Sequence, residues 1–260
     1  MKNKIVIVIP VYKPVLTDLE IISLKQCTTT FNNKYSIILV APEGMDCDSY
    51  YQVNKELKTY FFDAFYFESV INYSKLLLLP TFYERFSNYD YMLLYQLDAY
   101  VFYDKLEYWC EQKYDYIGAP WISEHNIEKN RLHYAQATNS KNFLLKIIKK
   151  KFNFSKGKKI FVGNGGFSLR KIKTFIRIAK KLTYIGINIE NFSHNEDIIW
   201  GIYVPCYFPF YKVPTTQTAL KFAFEELPSY CYKLNQEQLP FGVHAWEKYE
   251  NDFWKKFITF

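Results

Sequence analysis

An acidic side chain at the end of a buried strand is the first position in this sequence where chemistry could take place. Asp98 directly follows the apolar run at residues 89–96, and ligands of parallel sheets bind beyond the carboxyl ends of the strands. A carboxylate there can hold a divalent cation, which in turn binds a diphosphate. A helix N-cap or a surface turn would equally explain this residue, so its assignment depends on the rest of the chain.

Two adjacent acids form the second candidate. Glu196 and Asp197 precede the apolar residues Ile198, Ile199 and Trp200. A carboxylate in such a pair can act as the general base that takes a proton from an acceptor hydroxyl. The alternative is that both acids stand at the start of a helix, where the helix dipole and the free N–H groups favour negative charge.

A glycine-rich turn and a histidine near the C-terminus complete the candidates. Glycine occupies three of the four positions 163–166, which would let a ligand approach the backbone closely. The spacing is that of neither a Walker loop nor a Rossmann fingerprint, and a strand-to-turn corner would need the same glycines. His244 is either an ordinary core or surface histidine or, with Asp98 as its partner, a metal ligand.

Alternating strand and helix patterns in the first hundred residues must position Asp98. Helical spacing follows Thr17 and covers residues 69–86, where Pro80 should break or kink the helix. Apolar runs predict strands at residues 4–9, 35–40, 60–67 and 89–96. This order predicts an α/β fold with a mostly parallel sheet and helices on both faces.

The second half of the chain is less regular. Residues 114–121 predict a short strand that enters a turn, and residues 171–182 predict a basic amphipathic helix. Residues 124–159 are polar and basic and are interpreted as an insertion. No repeat or linker composition divides the chain, so we expect one domain over residues 1–260.

Composition and cysteine usage exclude several classes of protein. The 260 residues are 49% hydrophobic and 23% charged, which excludes disordered, collagen-like and disulfide-scaffold chains. No apolar run approaches the roughly 18 residues that span a bilayer, and the short run at residues 5–11 lacks a signal-peptide cleavage site. The five scattered cysteines form no Cys-x-x-Cys pair, which favours a reduced, cytoplasmic setting.

The positive charge is concentrated in one part of the chain. Residues 138–181 contain no acid but hold 14 Lys and Arg, against a net charge of +7 for the whole chain. Phe143, Leu144, Ile147 and Ile148 recur at helical spacing within the basic segment Lys141–Lys159, as in a helix that lies on an anionic membrane surface. Because base readout favours arginine, which is scarce here, we do not expect nucleic acid as a partner.

Six motifs stand in order along the chain. They are Ile9-Pro10-Val11-Tyr12, Tyr95-Gln96-Leu97-Asp98, Tyr116-Ile117-Gly118-Ala119-Pro120-Trp121, Gly163-Asn164-Gly165-Gly166-Phe167-Ser168-Leu169-Arg170, Glu196-Asp197 and Phe241-Gly242-Val243-His244-Ala245-Trp246. This set resembles a bacterial family of glycosyltransferase-like proteins that is catalogued mainly as a domain of unknown function, and the resemblance covers nearly the whole chain apart from the basic insertion. The segments Gly165-Gly166-Phe167-Ser168-Leu169-Arg170 and Glu196-Asp197 are also similar to those of the β-1,4-galactosyltransferases. The resemblance implies a single GT-A-like domain with a Rossmann-like, mostly parallel sheet, a nucleotide-sugar half at 1–103 and an acceptor half at 104–260.

The resemblance implies a role for each matching position. Asp197 would be the catalytic base, with Glu196 holding the acceptor or the sugar, and Asp98 and His244 would be ligands of Mn²⁺ or Mg²⁺. The acceptor would contact Trp121, Phe167 and Trp246. The nucleotide-sugar would be bound by Pro10, Val11, Tyr12, Glu43, Gln96, Asp98, Gly165, Gly166 and Phe167.

The sequence departs from the resembling family in one respect. Asp98 matches the first acid of the Asp-x-Asp motif of GT-A enzymes, but Tyr100 occupies the place of the second. Metal binding would then be weaker or of different geometry, and Lys or Tyr side chains could steady the diphosphate instead. The dependence on a divalent cation is therefore left open at this point.

These observations lead to one interpretation and two rivals. We expect a hexosyltransferase that moves a sugar from a nucleotide-sugar, a UDP-sugar by preference, to a saccharide hydroxyl, with inversion of the anomeric carbon. The acceptor would belong to a lipid-linked or surface glycan such as lipopolysaccharide, O-antigen or capsule. The enzyme would act in the cytoplasm or at the inner face of the membrane. A nucleotidyltransferase would need a Gly-rich basic loop where Val11-Tyr12-Lys13-Pro14 stands. A non-catalytic glycan- or nucleic-acid-binding module would use the aromatic residues and the basic face.

Overall fold

The β-branched run near the N-terminus forms the centre of a six-stranded sheet, because its side chains are apolar on both faces. The computed structural model describes residues 3–31, 34–122 and 162–259. In these ranges the strands are β1 (Ile5–Pro10), β2 (Ser36–Pro42), β3 (Lys58–Phe62), β4 (Tyr91–Tyr95), β5 (Tyr100–Val101), β6 (Tyr116–Ile117), β7 (Phe167–Lys171), β8 (Ala223–Phe224) and β9 (Gly242–Val243).

The sheet is parallel through its first four strands and reverses at one side. Its order is β3-β2-β1-β4-β7-β6, in which β7 runs antiparallel to both β4 and β6. A smaller sheet has the order β5-β9-β8, with β8 and β9 parallel. The predicted α/β class with a mostly parallel sheet is confirmed.

Helices cover both faces of the larger sheet. The helices in the described ranges are α1 (Asp18–Phe31), α2 (Asp48–Val53), α3 (Val70–Leu76), α4 (Pro80–Glu84), α5 (Leu106–Glu111), α6 (Ile172–Ala179), α7 (Glu196–Ile198), α8 (Val204–Tyr207), α9 (Thr216–Phe222), α10 (Pro228–Leu234) and α11 (Asn251–Trp254). A π-helical stretch, Ile199–Tyr203, joins α7 to α8, and short 3₁₀ helices cover Ala64–Phe67 and Leu182–Ile185.

Alternate side chains of the central strands enter two separate cores. Ile7 packs with α1 through residues such as Leu24, while Val8 packs on the opposite face with α4 and α6 through Phe82 and Phe175. Because successive strand residues point to opposite faces, this division confirms that helices flank both sides. The apolar face of α6, which the sequence predicted as part of a basic amphipathic helix at 171–182, is used in this core.

Two of the sequence-predicted elements differ from the structure in instructive ways. The strand predicted at 60–67 begins at Lys58 and ends at Phe62, because the Asp63 carboxylate accepts the N–H of Phe65 and starts a 3₁₀ turn instead. The helix predicted at 69–86 is two helices. As expected from its missing N–H, Pro80 begins the second of them rather than continuing the first.

The insertion predicted at 124–159 and its basic segment Lys141–Lys159 lie outside the described residues. The chain leaves the described part at Ile122 and returns at Val162, and an antiparallel bridge joins Pro120 to Val162. The backbone N–H groups of Gly163 and Asn164 both donate to the Ala119 carbonyl, at 3.2 and 3.1 Å. The two ends of this segment are therefore side by side.

Within 3–31, 34–122 and 162–259, no helix is long and apolar enough to cross a bilayer. All five cysteines are buried as free thiols.

Asp115 joins three parts of the fold at the start of β6. Its carboxylate accepts the Thr174 hydroxyl of α6 at 2.6 Å and the backbone N–H of Lys212 at 2.8 Å, and the residue is buried. Its own backbone N–H donates to the Lys212 carbonyl. Asp115 thus holds the edge strand against α6 and the segment that follows α8.

We predict that Asp115→Ala lowers the free energy of unfolding by about 3 kcal/mol, because two buried donors lose a charged acceptor. Urea denaturation should show a lower midpoint with an unchanged slope. Asp252→Ala is the matched control, since the Asp252 side chain is 93% exposed, and it should leave the midpoint unchanged. Equal midpoints for Asp115→Ala and the wild type would contradict the structural role.

Candidate active site

The end of β4 and the start of β7 meet at one edge of the sheet. Tyr95 pairs with Phe167 in the antiparallel ladder, and the backbone N–H of Gln96 donates to the Gly166 carbonyl at 2.8 Å. Because β7 runs against β4, the residues that precede β7 lie beside those that follow β4. The glycine-rich turn and Asp98 are brought together in this way.

The smaller sheet adds a histidine and a carboxylate to the same place. Phe224 of β8 and Val243 of β9 are register partners in a parallel pair, so the residues that follow them, Glu225 and His244, are neighbours. The backbone N–H of His244 donates to the Phe224 carbonyl at 3.0 Å. The His244 Nδ1 atom lies 3.0 Å from Glu225 Oε1.

The other imidazole nitrogen faces two oxygens that come from the end of β4. His244 Nε2 lies 3.1 Å from Gln96 Oε1 and 3.2 Å from Asp98 Oδ1. Burial opposes the charge of the ring, but Asp98 and Glu225 outweigh it and raise the pKa of His244 to about 10. With acceptors at both nitrogens, the ring is an imidazolium in this arrangement.

Asp98 is held in its charged form by this histidine. Burial alone would raise the pKa of Asp98, but the charge and proximity of His244 lower it below its ordinary value. The Asp98 side chain keeps 36% of its surface exposed, and its Oδ1 atom makes no hydrogen bond of acceptable geometry within the described residues. Asp98 is therefore a carboxylate that is ion-paired with His244 and keeps part of its side-chain surface accessible to solvent.

The structure pairs Asp98 with Gln96 rather than with the position of Tyr100. Tyr100 belongs to β5 and packs against Phe102 and Trp246. Gln96, two residues before Asp98, supplies the converging oxygen. At this strand end the oxygens that converge on His244 therefore come from Gln96 and Asp98.

Glu196 is neutralised by a buried arginine. Glu196 Oε1 accepts from an Arg170 terminal nitrogen at 2.9 Å, and the Arg170 side chain is 0% exposed. The same guanidinium donates to Ser168 Oγ, to the Tyr83 hydroxyl and to the Gly165 carbonyl. Glu196 thus has a structural partner, which a helix-capping role alone would not require.

Asp197 is a buried carboxyl that has no ion-pair partner among the described residues. Burial, and then the neighbouring charges of Glu196 and Glu225, raise its pKa well above the ordinary value of an aspartate, while the backbone N–H groups of Ile198 and Gly165 oppose the shift. The N-cap residue of α7, Asn195, makes no side-chain capping bond. The chemical property of Asp197 is therefore a high proton affinity in a site beside a strand edge.

The glycines make room for these side chains. A Cβ atom on Gly165 would lie 2.6 Å from Glu196 Oε1 and 3.3 Å from the Asp197 Cβ atom, and a Cβ atom on Gly166 would overlap the His244 ring. Both glycines are buried. In this structure they admit the acids and the histidine, whereas the sequence analysis expected them to leave open space for the ligand.

The aromatic residues expected to touch the acceptor differ in accessibility. Phe167 is 0% exposed and packs against Tyr95, Phe222 and Phe241, and Trp246 is buried as well. These two rings support the site from within the core. Trp121 is half-buried, and its ring packs closely over Gly201 in the π-helical stretch.

The residues predicted to border the nucleotide lie along the same sheet edge. Val11 continues from β1 and its N–H donates to the Val40 carbonyl of β2. The exposed Tyr12 and Glu43 follow β1 and β2, and Pro10 is the last residue of β1. β1 adjoins β4 in the sheet, so this row continues toward Asp98.

The donor atoms at His244, Asp98 and Gln96 fit a divalent cation of the oxygen-preferring kind. They are one carboxylate oxygen, one amide oxygen and one imidazole nitrogen, and the imidazole would release a proton to bind. Across the described ranges, no cluster of three or more His, Cys, Asp and Glu side chains has metal-binding geometry. Within the same ranges, the carboxyls of Asp98, Glu225, Glu196 and Asp197 outnumber the buried cations Arg170 and His244, which favours a cation here.

Three contributors to the site were not assigned by the sequence analysis. Glu225 and Asn164 form a supporting layer, because Asn164 Nδ2 donates to Glu225 Oε1 at 2.6 Å and Asn164 Oδ1 accepts the Gly166 N–H. Arg170 is the third. Glu225 directly follows the apolar segment Phe222-Ala223-Phe224, the same acid-after-strand pattern that identified Asp98, so this signal was present.

A separate groove of about 860 Å³ lies between the Ala64–Phe67 turn, α3 and the segment 183–190. Phe65, Tyr66 and Lys75 line one wall and Asn188 and Glu190 the other. None of the sequence-predicted site residues lines it. The convergence of polar groups around His244, and not this groove, therefore locates the candidate active site.

Solved glycosyltransferases share this fold. Mouse xyloside xylosyltransferase 1 superposes with a TM-score of 0.52 at 9% identity, over 92% of this chain and 96% of that chain. An active-site mutant of LgtC gives 0.51 at 12% identity, over 92% and 86%, and the bifunctional WbbM gives 0.50 at 11%, over 94% of this chain and 46% of that one. Identities this low establish the GT-A-type fold alone.

Sequence comparison identifies the family. No curated protein sequence matches this chain. The profile of the family described as protein of unknown function (DUF5672) matches residues 56–244, a span that includes β4, β7, the glycine-rich turn and every residue of the Gln96–Asp98–His244 convergence. The chain therefore belongs to the DUF5672 family.

Proposed function

We propose that this protein is a glycosyltransferase that moves a sugar from a nucleoside diphosphate donor to a saccharide hydroxyl. One observation carries the proposal, namely that Asp98, Gln96 and His244 converge at the ligand-binding edge of a GT-A-type sheet, with the buried Asp197 in the adjoining layer. A charged diphosphate-side cluster and a nearby proton acceptor are the two parts that sugar transfer needs.

The donor nucleotide, which we take to be UDP, would lie along the row formed by Pro10, Val11, Tyr12 and Glu43. Strand ends of parallel sheets are the usual place for nucleotides, and the exposed Tyr12 ring offers a face to the base or ribose. The diphosphate would then reach Asp98, which follows the adjoining strand.

A Mn²⁺ or Mg²⁺ ion would be held by Asp98, Gln96 and His244. When bound, such an ion neutralises the charge that develops on the departing diphosphate. Glu225, hydrogen-bonded to Asn164 and in contact with His244 Nδ1, orients the imidazole from behind. Lys248, which lowers the pKa of Asp98, adds a cation at the rim of the site.

Asp197 would act as the general base. As the acceptor oxygen forms its bond to the anomeric carbon, the carboxylate takes the hydroxyl proton, and the bond from that carbon to the diphosphate oxygen breaks. A single displacement of this kind inverts the anomeric configuration. Glu196 is a poorer candidate for the general base, because its charge is already paired with Arg170.

The acceptor is proposed to be a hydroxyl of a surface glycan, lipid-linked and presented at the cytoplasmic membrane face. Of the three residues predicted to contact the acceptor, Trp121 keeps some solvent exposure, so its ring would contact the acceptor sugar, with Phe167 and Trp246 supporting the site from the core.

The Val11-Tyr12-Lys13-Pro14 segment after β1 argues against a nucleotidyltransferase. A binding module would have no use for the buried proton acceptor Asp197.

The proposal is tested by a thermal-shift screen of nucleotide-sugars with and without Mn²⁺, followed by an assay of donor hydrolysis. We expect one nucleotide-sugar to raise the melting temperature in the presence of the metal and to be slowly hydrolysed. NMR of a transferred product should show the anomer opposite to that of the donor. A product with the same anomeric configuration as the donor would refute the inverting mechanism. A protein that binds no nucleotide would refute the proposed glycosyltransferase function.

We predict that Asp98→Asn lowers kcat by about 10²–10³-fold, because the charge that supports the leaving diphosphate is lost. The variant should also lose the stabilisation by Mn²⁺ that the wild type shows. Asp104→Asn, which removes a surface ion pair with Lys34, is the matched control and should retain both properties. Near wild-type turnover and Mn²⁺ response in Asp98→Asn would refute its role.

We predict that Asp197→Asn lowers kcat by about 10²–10⁴-fold while nucleotide affinity is unchanged. The native pKa lies above the unfolded one, so the stability that protonated Asp197 provides is complete below the ordinary aspartate pKa and is lost as pH rises through the native pKa. The neutral Asn should therefore raise the melting temperature at alkaline pH.

Glu196→Gln should instead destabilise the protein by about 3–5 kcal/mol, because it leaves the buried Arg170 unpaired.

The pH profile of kcat provides a further check on Asp197. Glu196 and Glu225 face it and raise its pKa, Arg170 compensates Glu196, and Tyr116 lies nearby. Activity should rise with pH over a range well above that of an ordinary aspartate, and this limb should vanish in Asp197→Asn. Full activity in that variant, combined with a lowered melting temperature, would leave a helix-start role for the residue.

We further propose that the basic segment Lys141–Lys159 binds anionic membrane, an inference that rests on its sequence. Each cation near an anionic surface contributes roughly 1 kcal/mol, which salt screens. The protein should sediment with vesicles that contain phosphatidylglycerol at low salt, and less with neutral vesicles. Replacement of Lys149, Lys150 and Lys151 by Gln should weaken this binding, and equal sedimentation with both vesicle types would refute it.

A further inference from the structure

One hydroxyl group near the candidate active site has no partner. Tyr73 lies in α3, a helix whose N-terminus is capped by Ser69. Its Oη atom is shielded from solvent and makes no hydrogen bond within the described residues. Buried polar atoms are satisfied in the great majority of cases, so an exception calls for an explanation.

Three other tyrosines near the site are satisfied by the protein itself. The Tyr83 hydroxyl donates to the Leu77 carbonyl and accepts from Arg170. The Tyr116 hydroxyl donates to the Gly163 carbonyl, and Tyr95 bonds the backbone of α1 and of Ala99. Within the described residues, Tyr73 differs from these three and shares the lack of a partner with Tyr211.

Tyr73 stands between the two parts of the site. The charges of Glu196 and Arg170 act on its hydroxyl, and the Gln96 amide lies beside it without forming a hydrogen bond of acceptable geometry. Gln96 belongs to the diphosphate side of the site, and Glu196 adjoins the base Asp197. Burial raises the pKa of Tyr73, so the group remains a hydroxyl that can both donate and accept.

We propose that Tyr73 is a specificity-determining residue that hydrogen-bonds a hydroxyl of the transferred sugar. The inference rests on the proposed function, in which the sugar must lie between the diphosphate and the base, and this is where the unpartnered oxygen stands. A sugar hydroxyl would supply the missing partner, and a donor without that hydroxyl would leave Tyr73 unpaired. Sites built in this way discriminate strongly against analogues that lack the bonded group.

A purely structural role for Tyr73 predicts that the loss of its hydroxyl leaves sugar binding unchanged. If the ring only fills space, phenylalanine would serve equally well, and removal of an unpaired hydroxyl would leave stability unchanged or slightly improved. Tyr73→Phe therefore separates binding from packing, because it keeps the ring and deletes the one atom in question.

The experiment compares the affinities of the wild type and Tyr73→Phe for UDP and for UDP-glucose, UDP-galactose and UDP-N-acetylglucosamine by calorimetry with Mn²⁺. We expect the nucleotide-sugar that the wild type prefers to bind about five- to tenfold more weakly to Tyr73→Phe, the size of one hydrogen bond, while UDP affinity is unchanged. Among monodeoxy forms of that sugar, the one that lacks the bonded hydroxyl should bind the wild type and the variant equally.

Tyr211→Phe is the matched control. The Tyr211 hydroxyl is also buried without a hydrogen-bond partner in the described chain, but its ring packs in the core against Phe175. Its removal should change neither affinity, and neither variant should have a lowered melting temperature.

Four results would overturn the inference. Equal affinity of Tyr73→Phe and the wild type for the preferred nucleotide-sugar would show that the hydroxyl does not bind it. An equal loss for UDP and the nucleotide-sugar would show a structural role. A wild type that binds UDP but no nucleotide-sugar would overturn this inference, and one that binds no nucleotide at all would overturn the proposed function with it.

Discussion

The buried guanidinium of Arg170 holds together the parts of the candidate site that come from distant segments. It contacts the turn before β7 through the Gly165 carbonyl, α4 through Tyr83 and α7 through Glu196. Because a guanidinium presents its donors in a fixed planar fork, these acceptors must stand in one arrangement. Loss of a single partner would leave charge uncompensated in the core, so the position of Asp197, next to Glu196, is fixed from behind.

A second chain of contacts, on the other side of the glycine turn, alternates in charge. Asn164 donates to Glu225, Glu225 faces His244, and His244 faces Asp98 and Gln96. Such a series is stable in a poorly solvated place because each charge meets its opposite. It ends at Asp98, whose side chain keeps part of its surface accessible to solvent, so the series leaves a surplus negative charge at the edge of the candidate site.

Local features of the structure could be predicted from the sequence, and non-local ones could not. The β-branched run of β1 and the break before Pro80 depend on neighbouring residues, and both were anticipated. Glu225 was missed although an apolar segment precedes it, because β8 and β9 are only two residues long and the parallel pairing that brings Glu225 beside His244 is a tertiary event. Phe167 was assigned to the ligand pocket because its burial depends on aromatic rings from segments far along the chain.

The bridge between Pro120 and Val162 bears on how this protein could change over evolution. The stretch at 123–161 departs and returns at adjacent points of the framework, so residues can be gained or lost there without any shift in strand register. The entropic cost of closing a loop grows only slowly with its length. Relatives could therefore differ in the length of this stretch while the framework that carries the candidate site stays the same.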